Sequence, residues 1–95
     1  MSDGIFVRQG QSSQLNITTA TPVKTVAGRI VRVQVLVAGS AAGAVYDGTG
    51  VTGNTVANQV FVIPNTVGSY LVDHPCVNGV VVVPGTGQTV AVTYD

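Results

Sequence analysis

The strongest constraint on this fold is the alternation of valine with other residues along short segments. In RIVRVQVLVA, four valines share one expected face, which we predict to be the core face: Val31, Val33, Val35 and Val37. β-Branched side chains suit a pleated strand and lose rotamer freedom in a helix. No longer window has apolar residues at helical spacing between capping residues. We therefore expect an all-β protein.

Other segments add strands and turns to this pattern. QTVAVTY and SQLNIT alternate, and we expect their inward residues to be Leu15, Ile17, Val90, Val92 and Tyr94. QVFVIP and GVVVVP are apolar throughout, which predicts strands covered on both faces. The Pro-Gly-Thr-Gly turn at residues 84–87 predicts a hairpin between the last two strands. Seven or eight short strands predict a single compact β-sandwich or jelly-roll-like barrel.

The first residues differ from the rest of the chain. GIFVR reads as an isolated strand followed by a polar loop, so residues 1–12 are expected to form an N-terminal arm or edge strand and residues 13–95 the sandwich domain. The arm is expected to pair with its own sheet edge or with the edge of a neighbouring subunit. Ile5, Phe6 and Val7 are therefore candidate contact residues.

Charge is scarce in this chain. Lys, Arg, Asp and Glu make up 8% of the 95 residues and give a formal net charge of zero, whereas about a quarter is usual. No basic stripe predicts nucleic-acid binding, and no apolar run is long enough to predict a membrane span. No secretory signal is recognisable, so we expect synthesis in a reducing cytoplasm. A weakly charged surface favours association with other proteins.

The stretch YDGTGVTGN carries glycines at the spacing of a dinucleotide-binding loop: Gly48, Gly50 and Gly53. That function needs a helix immediately after the loop, whose N-terminus binds the pyrophosphate. The following residues, NTVANQVFVIP, predict extended chain instead. We interpret the stretch as an exposed loop suited to protein contact, with no cofactor.

The stretch DHPC holds the densest cluster of reactive side chains. Cys76 is the only cysteine, so no intramolecular disulfide is possible. A zinc site within one chain lacks ligands, although a threefold axis would gather three copies of His74. A nucleophilic Cys76 beside His74 is a further alternative. We expect instead a buried, apolar Cys76 and a turn or interface role for His74, with no catalytic or metal-binding residue.

Four aromatic or acidic residues remain to be placed. Tyr46, Phe61 and Tyr70 are expected in core or interface packing, with sugar stacking as the alternative. Asp47 in YDG is expected to cap its own turn. Tyr46, Tyr70 and His74 thus join the candidate contact residues.

The second half of the chain resembles a group of small proteins from tailed bacteriophages. Four features carry the resemblance: the small-residue turn before residues 44–47, the strand end Ile63-Pro64, the stretch from Pro75-Cys76 to Gln88, and the terminal strand at residues 92–94. The group is similar to head-decoration, or capsid cement, proteins of the virion.

The resemblance implies a non-enzymatic structural protein that binds the outer surface of a phage capsid and reinforces it. The implied partners are the major capsid protein and further copies of the chain, with a homotrimer favoured. Nucleic acid, membrane, cofactor and small-molecule substrate are not expected. Two alternatives are a tail, neck or head-fibre component and a carbohydrate-binding or adhesion β-sandwich.

Overall fold

The computed structural model describes residues 11–95, which form eight β-strands and one short 3₁₀ turn. The strands are β1 Ser12–Ile17, β2 Thr21–Lys24, β3 Gly28–Val37, β4 Gly43–Asp47, β5 Gln59–Ile63, β6 Gly68–Cys76, β7 Val80–Val83 and β8 Thr89–Tyr94. They form two four-stranded sheets, in the orders β1-β8-β3-β6 and β2-β7-β4-β5. The chain is therefore an all-β sandwich, as its valine pattern predicts.

The strand pairs are antiparallel and nested. β1 pairs with β8, β2 with β7, β3 with β6 and β4 with β5, so the chain folds as one long hairpin. Pairing of β3 with β8 and of β4 with β7 wraps this hairpin into two sheets. Eight strands connected in this way form a jelly roll. The expected contact residues Ile5, Phe6 and Val7, and most of the expected arm, lie outside the described residues.

The predicted hairpin between the last two strands is wrong. β7 lies between β2 and β4 in one sheet, whereas β8 lies between β1 and β3 in the other. Because β7 and β8 belong to different sheets, the turn at residues 84–87 crosses from one sheet to the other. Within the described chain, only the β4–β5 connection joins adjacent strands of one sheet.

The core lies between the sheets and is built mainly of valine and isoleucine. Its buried members are Ile17, Ile30, Val33, Val35, Val45, Ile63, Cys76, Val80, Val82, Val90 and Val92. The inward alternation of β8 is confirmed by Val90 and Val92, with Tyr94 packed against the same cluster. β7 is confirmed as a strand covered on both faces, because Val80, Val81 and Val82 are all fully buried.

Bulges change which residues reach this core. The pairing of β3 shifts between Ile30 and Arg32, so Ile30 and Val33 both face the core and Val31 does not. A second shift follows Val35 and leaves Val37 exposed. Alternation alone cannot show such shifts, since one extra residue moves all later side chains to the other face.

Two edge strands also depart from expectation. β1 has a register shift between Gln14 and Ile17 that includes Asn16 at φ 58°, and Leu15 consequently faces solvent. β5 is an edge strand, so Val62 is exposed although its neighbour Ile63 is fully buried. The expectations of an inward Leu15 and of a doubly covered β5 are wrong.

Truncation of Val45 tests this assignment of the core. Val45→Ala removes two methyl groups from a fully buried site, and we expect it to lower the free energy of unfolding by about 2–3 kcal/mol. Val62→Ala, the same change on the exposed face of β5, should alter it by less than about 0.5 kcal/mol. Urea denaturation measures both, and equal losses would contradict the assignment.

Candidate interaction surface

The nested pairing places the strand connections at two opposite ends of the sandwich. Residues 18–20, 38–42, 64–67 and 84–88 connect strands at one end. Residues 25–27, 48–58 and 77–79 connect strands at the other. No connection at either end contains a charged residue. We call the first the uncharged end and the second the charged end, because the charged residues on and beside the strands lie mainly toward the second.

Charge is segregated along the strands that join these ends. Six of the eight charged residues fall in the described part of the chain: Lys24, Arg29, Arg32, Asp47, Asp73 and Asp95. Five of them lie close to the charged end, and Arg32 lies midway along β3. The Arg32 guanidinium reaches toward the uncharged end, where its Nη1 donates to Ser69 Oγ at 2.9 Å. The charged residues of the described sandwich are therefore concentrated toward one end.

Hydrogen bonds join three connections of the uncharged end. The Gly39 N–H donates to Asn65 Oδ1 at 2.7 Å, and Asn65 Nδ2 donates to the Gly39 carbonyl at 2.6 Å. The Ser40 N–H donates to the Thr86 carbonyl at 2.8 Å. A Cβ at position 39 would overlap the backbone of residues 86–88, so this close approach requires glycine.

A buried glutamine completes this end. The Gln88 side chain is almost fully buried, and its Oε1 accepts from the Gly85 N–H at 2.8 Å. Its Nε2 donates to the Pro64 carbonyl at 2.9 Å. Both polar atoms of the amide are satisfied, which offsets the cost of burying them. The connections at residues 38–42, 64–67 and 84–88 consequently form one hydrogen-bonded platform.

Aliphatic side chains lie in and around the platform. Val67 belongs to it, Leu36, Val37 and Val62 lie beside it, and each of the four is more than half exposed. The platform itself presents small side chains, including the exposed residues Ala38, Ser40, Ala41, Ala42 and Thr86. This end of the sandwich thus presents exposed aliphatic, hydroxyl and amide groups and is held in shape by its own hydrogen bonds.

At the charged end, Asp47 organises the β6–β7 turn. Its carboxylate accepts from the N–H groups of Val77 at 2.9 Å, Asn78 at 2.8 Å and Gly79 at 3.3 Å. Desolvation alone would raise the pKa of Asp47, but the three N–H donors, aided by the charge of His74, outweigh it and lower the pKa. We expected Asp47 to cap its own YDG turn, and this is wrong. It caps the β6–β7 turn, which begins thirty residues further along the chain.

Of the remaining charges at this end, Arg29, Asp73 and Lys24 have partners, whereas Oδ1 of the Asp95 carboxylate is buried without one. Arg29 Nη1 contacts Asp73 Oδ1 at 2.7 Å, and Lys24 Nζ donates to the carbonyl of Asp95. The loop tips carry four exposed valines, Val26, Val51, Val56 and Val77. The charged end thus combines apolar loop tips with one partly exposed ion pair among the described residues.

Replacing Asp47 tests the turn it organises. Asp47→Asn should lower the free energy of unfolding at pH 7 by about 1–2 kcal/mol, the range for charge-assisted hydrogen bonds reduced by partial exposure. Asp73→Asn is the matched control, because its ion pair with Arg29 is solvent-exposed and should contribute less than about 0.5 kcal/mol. Urea denaturation of the three proteins gives the comparison.

The pH dependence of this effect has a defined sign. The pKa of Asp47 is lowered in the folded state, so its contribution is present above the unfolded-state pKa of about 4 and is lost as pH falls through the folded-state pKa. Between about pH 6 and pH 3, the native protein should therefore lose more stability than Asp47→Asn. Equal losses would refute this role of the carboxylate.

The glycine-rich loop between β4 and β5 is internally bonded. Val56–Asn58 forms one 3₁₀ turn, with Thr55 and Asn58 capping each other reciprocally. Asn54 Nδ2 donates to the Gly50 carbonyl, and Asn58 Nδ2 donates to the Asp47 carbonyl. The sequence predicted extended chain in this loop, and that prediction is wrong for Val56–Asn58. A single 3₁₀ turn does not supply the helix N-terminus that a dinucleotide requires.

The structure does not bring the three described candidate residues together. Tyr46 lies on β4, opposite Val81, in one sheet. Tyr70 and His74 lie on β6 in the other sheet, opposite Val33 and Ile30. They therefore do not form one site.

Tyr70 has a structural role near the uncharged end. Its ring packs against the core and lies 6.4 Å from the ring of Phe61, centroid to centroid. Its hydroxyl donates to the Thr66 carbonyl at 2.7 Å, which holds the connection at residues 64–67. The expected core packing of Tyr70 is confirmed.

Cys76 is buried in the core, as expected, whereas His74 is exposed. Desolvation raises the pKa of the Cys76 thiol, the negative charge of Asp47 adds to this, and a backbone hydrogen bond with Ile30 lowers it only in part. A thiol in this environment is a poor nucleophile at neutral pH, because little thiolate forms.

Alkylation kinetics test the burial of Cys76. At pH 7.5 the folded protein should react with iodoacetamide at least about a hundredfold more slowly than the urea-unfolded protein, since reaction requires both opening and ionisation. Mass spectrometry follows the added carbamidomethyl group. Equal rates for the two states would show that the thiol is accessible in the fold.

Compared with known proteins, the chain matches no family model, no curated protein and no solved structure. No helix within residues 11–95 is long and apolar enough to cross a membrane. In the same part of the chain, no three His, Cys, Asp or Glu side chains are grouped so as to hold a metal ion.

Proposed function

We propose that this chain is a non-enzymatic structural protein of a bacteriophage virion that binds the outer surface of the capsid and reinforces it. The observation that carries the proposal is the uncharged end: a hydrogen-bonded platform of small side chains, bordered by exposed aliphatic residues, in a chain of very low charge. The protein is made in the host cytoplasm and resides on the capsid exterior.

The chemistry of this end suits association with protein. The centres of protein interfaces are depleted of charged residues, and those residues lie at the rim or outside the contact. Because loop connections at the uncharged end are joined by hydrogen bonds, little conformational entropy is lost when they are covered. The end therefore suits contact with a large, fixed protein surface.

The fold and the sequence resemblance support the same class of role. Jelly rolls occur in viral capsid proteins and also in lectins and cupins, so the fold by itself is analogy and does not select a function. The resemblance of residues 44–94 to small phage head proteins supports a role in the virion. By analogy with decoration proteins, which often occupy threefold or quasi-threefold positions, a homotrimer is favoured.

Binding to capsids tests the proposal. The purified protein is incubated with undecorated heads of the phage that encodes it, and the heads are sedimented through a sucrose cushion. We expect saturable co-sedimentation and a higher temperature of head disruption once the sites are filled, because a ligand that binds only the assembled shell stabilises it.

Two controls define the result. Heads already carrying the protein should take up no more, and an unrelated β-sandwich of similar size should stay in the supernatant. Absence of co-sedimentation, or binding to isolated tails alone, would refute attachment to the capsid. Native mass spectrometry of the free protein then gives the number of copies per oligomer, for which three is expected from the resemblance.

A further inference from the structure

We propose that the uncharged end is the docking surface and that its partner is an uncharged patch of aliphatic, amide and hydroxyl groups on the capsid exterior. This inference rests on the proposed function and adds to it an orientation. In this orientation, the shell contacts residues 38–42, 64–67 and 84–88, and the charged end points into solvent.

Desolvation distinguishes the two ends. Covering the charged end would remove water from the partly exposed Arg29–Asp73 pair and from the groups around Lys24 and Asp95. Such charges lose more in hydration than their pairing returns unless the geometry is very good. The uncharged end has one charged group of the described chain near it, the Arg32 guanidinium, which donates to Ser69 Oγ at 2.9 Å close to the start of β6. The other five described charges lie toward the charged end. The lower cost favours the uncharged end.

The polar groups of the platform support the same choice. The buried atoms of Gln88 are satisfied within the chain, and the Asn65 amide is paired with the backbone of Gly39. A partner can therefore cover these groups without leaving them unpaired, which would otherwise weaken binding. Leu36, Val37 and Val67 supply apolar area around them.

The sheet edges offer little competing surface for strand addition. The described edge strands are interrupted by Pro22 in β2, Pro75 in β6, and left-handed residues, Asn16 in β1 and Asp73 in β6. The register of β5 shifts opposite β4 as well. Prolines and bulges of this kind oppose edge-to-edge pairing. The ends are thus the better candidates for contact.

The partner chemistry follows from the absence of charge. A charged group at the centre of the partner patch would lose its hydration and find no counter-charge on this end. Binding therefore requires an uncharged partner patch, and it gains nothing from long-range electrostatic attraction. Its affinity should depend only weakly on salt, unlike that of a complex held by ion pairs.

Matched charge insertions test the orientation. Ala41→Lys and Thr86→Lys each place one cation on the uncharged end, and Val26→Lys and Val56→Lys place one on exposed loop tips of the charged end. We expect the first pair to weaken binding to undecorated heads at least about tenfold, because an unpaired ammonium would be covered. The second pair should change the dissociation constant less than about twofold.

The outcomes separate the orientation from the function. If the native protein binds heads and the Val26 and Val56 variants lose binding instead, the orientation is overturned and the capsid function stands. If the native protein does not bind heads, both fail. If Ala41→Lys instead dissolves an end-to-end oligomer of the free protein, the partner is a second copy and the inference is overturned.

A salt titration of the native protein gives a second readout that does not depend on how the variants fold. Between about 50 and 500 mM NaCl, the dissociation constant should change less than about threefold. A steep weakening over that range would show that ion pairs hold the complex and would overturn the uncharged docking surface. Circular dichroism and native mass spectrometry are used to check that each lysine variant keeps the fold and the oligomeric state.

Discussion

The nested antiparallel pairing of the strands is the constraint on which the other features of this protein depend. Because β1 pairs with β8, β2 with β7, β3 with β6 and β4 with β5, successive strands run in opposite directions and connections alternate between two ends. This alternation gathers four short connections at one end. It also brings Gly39, Asn65 and Gln88, which are distant in sequence, into one hydrogen-bonded platform.

The sequence predicts the class of fold well and the connectivity poorly. Alternation identified the inward residues of β8, and a continuous apolar run identified the doubly covered β7. It failed where a bulge changes the phase, as between Ile30 and Arg32. The turn at residues 84–87 looks like a hairpin because its residues specify only a local reversal, whereas the sheet that the next strand joins depends on the neighbours of β7 and β8.

The candidate surface was visible in the sequence only in part. The low charge predicted association, but the residues proposed from it, Tyr46, Tyr70 and His74, do not lie together. The overlooked signal was the spacing of charges: none occurs between Arg32 and Asp47, or between Asp47 and Asp73. Only the nested pairing shows that the turns within these uncharged stretches divide between two ends, and that the charged residues lie away from one of them.

A reconstruction of decorated heads by electron cryomicroscopy tests the central claim most directly. At a resolution that separates strands, fitting the jelly roll into the added density gives its orientation without any substitution. Our account predicts that the connections at residues 38–42 and 84–88 contact the shell, with the β4–β5 loop pointing outward. Density in which the β4–β5 loop contacts the shell, or in which no added density appears on the head, would contradict it.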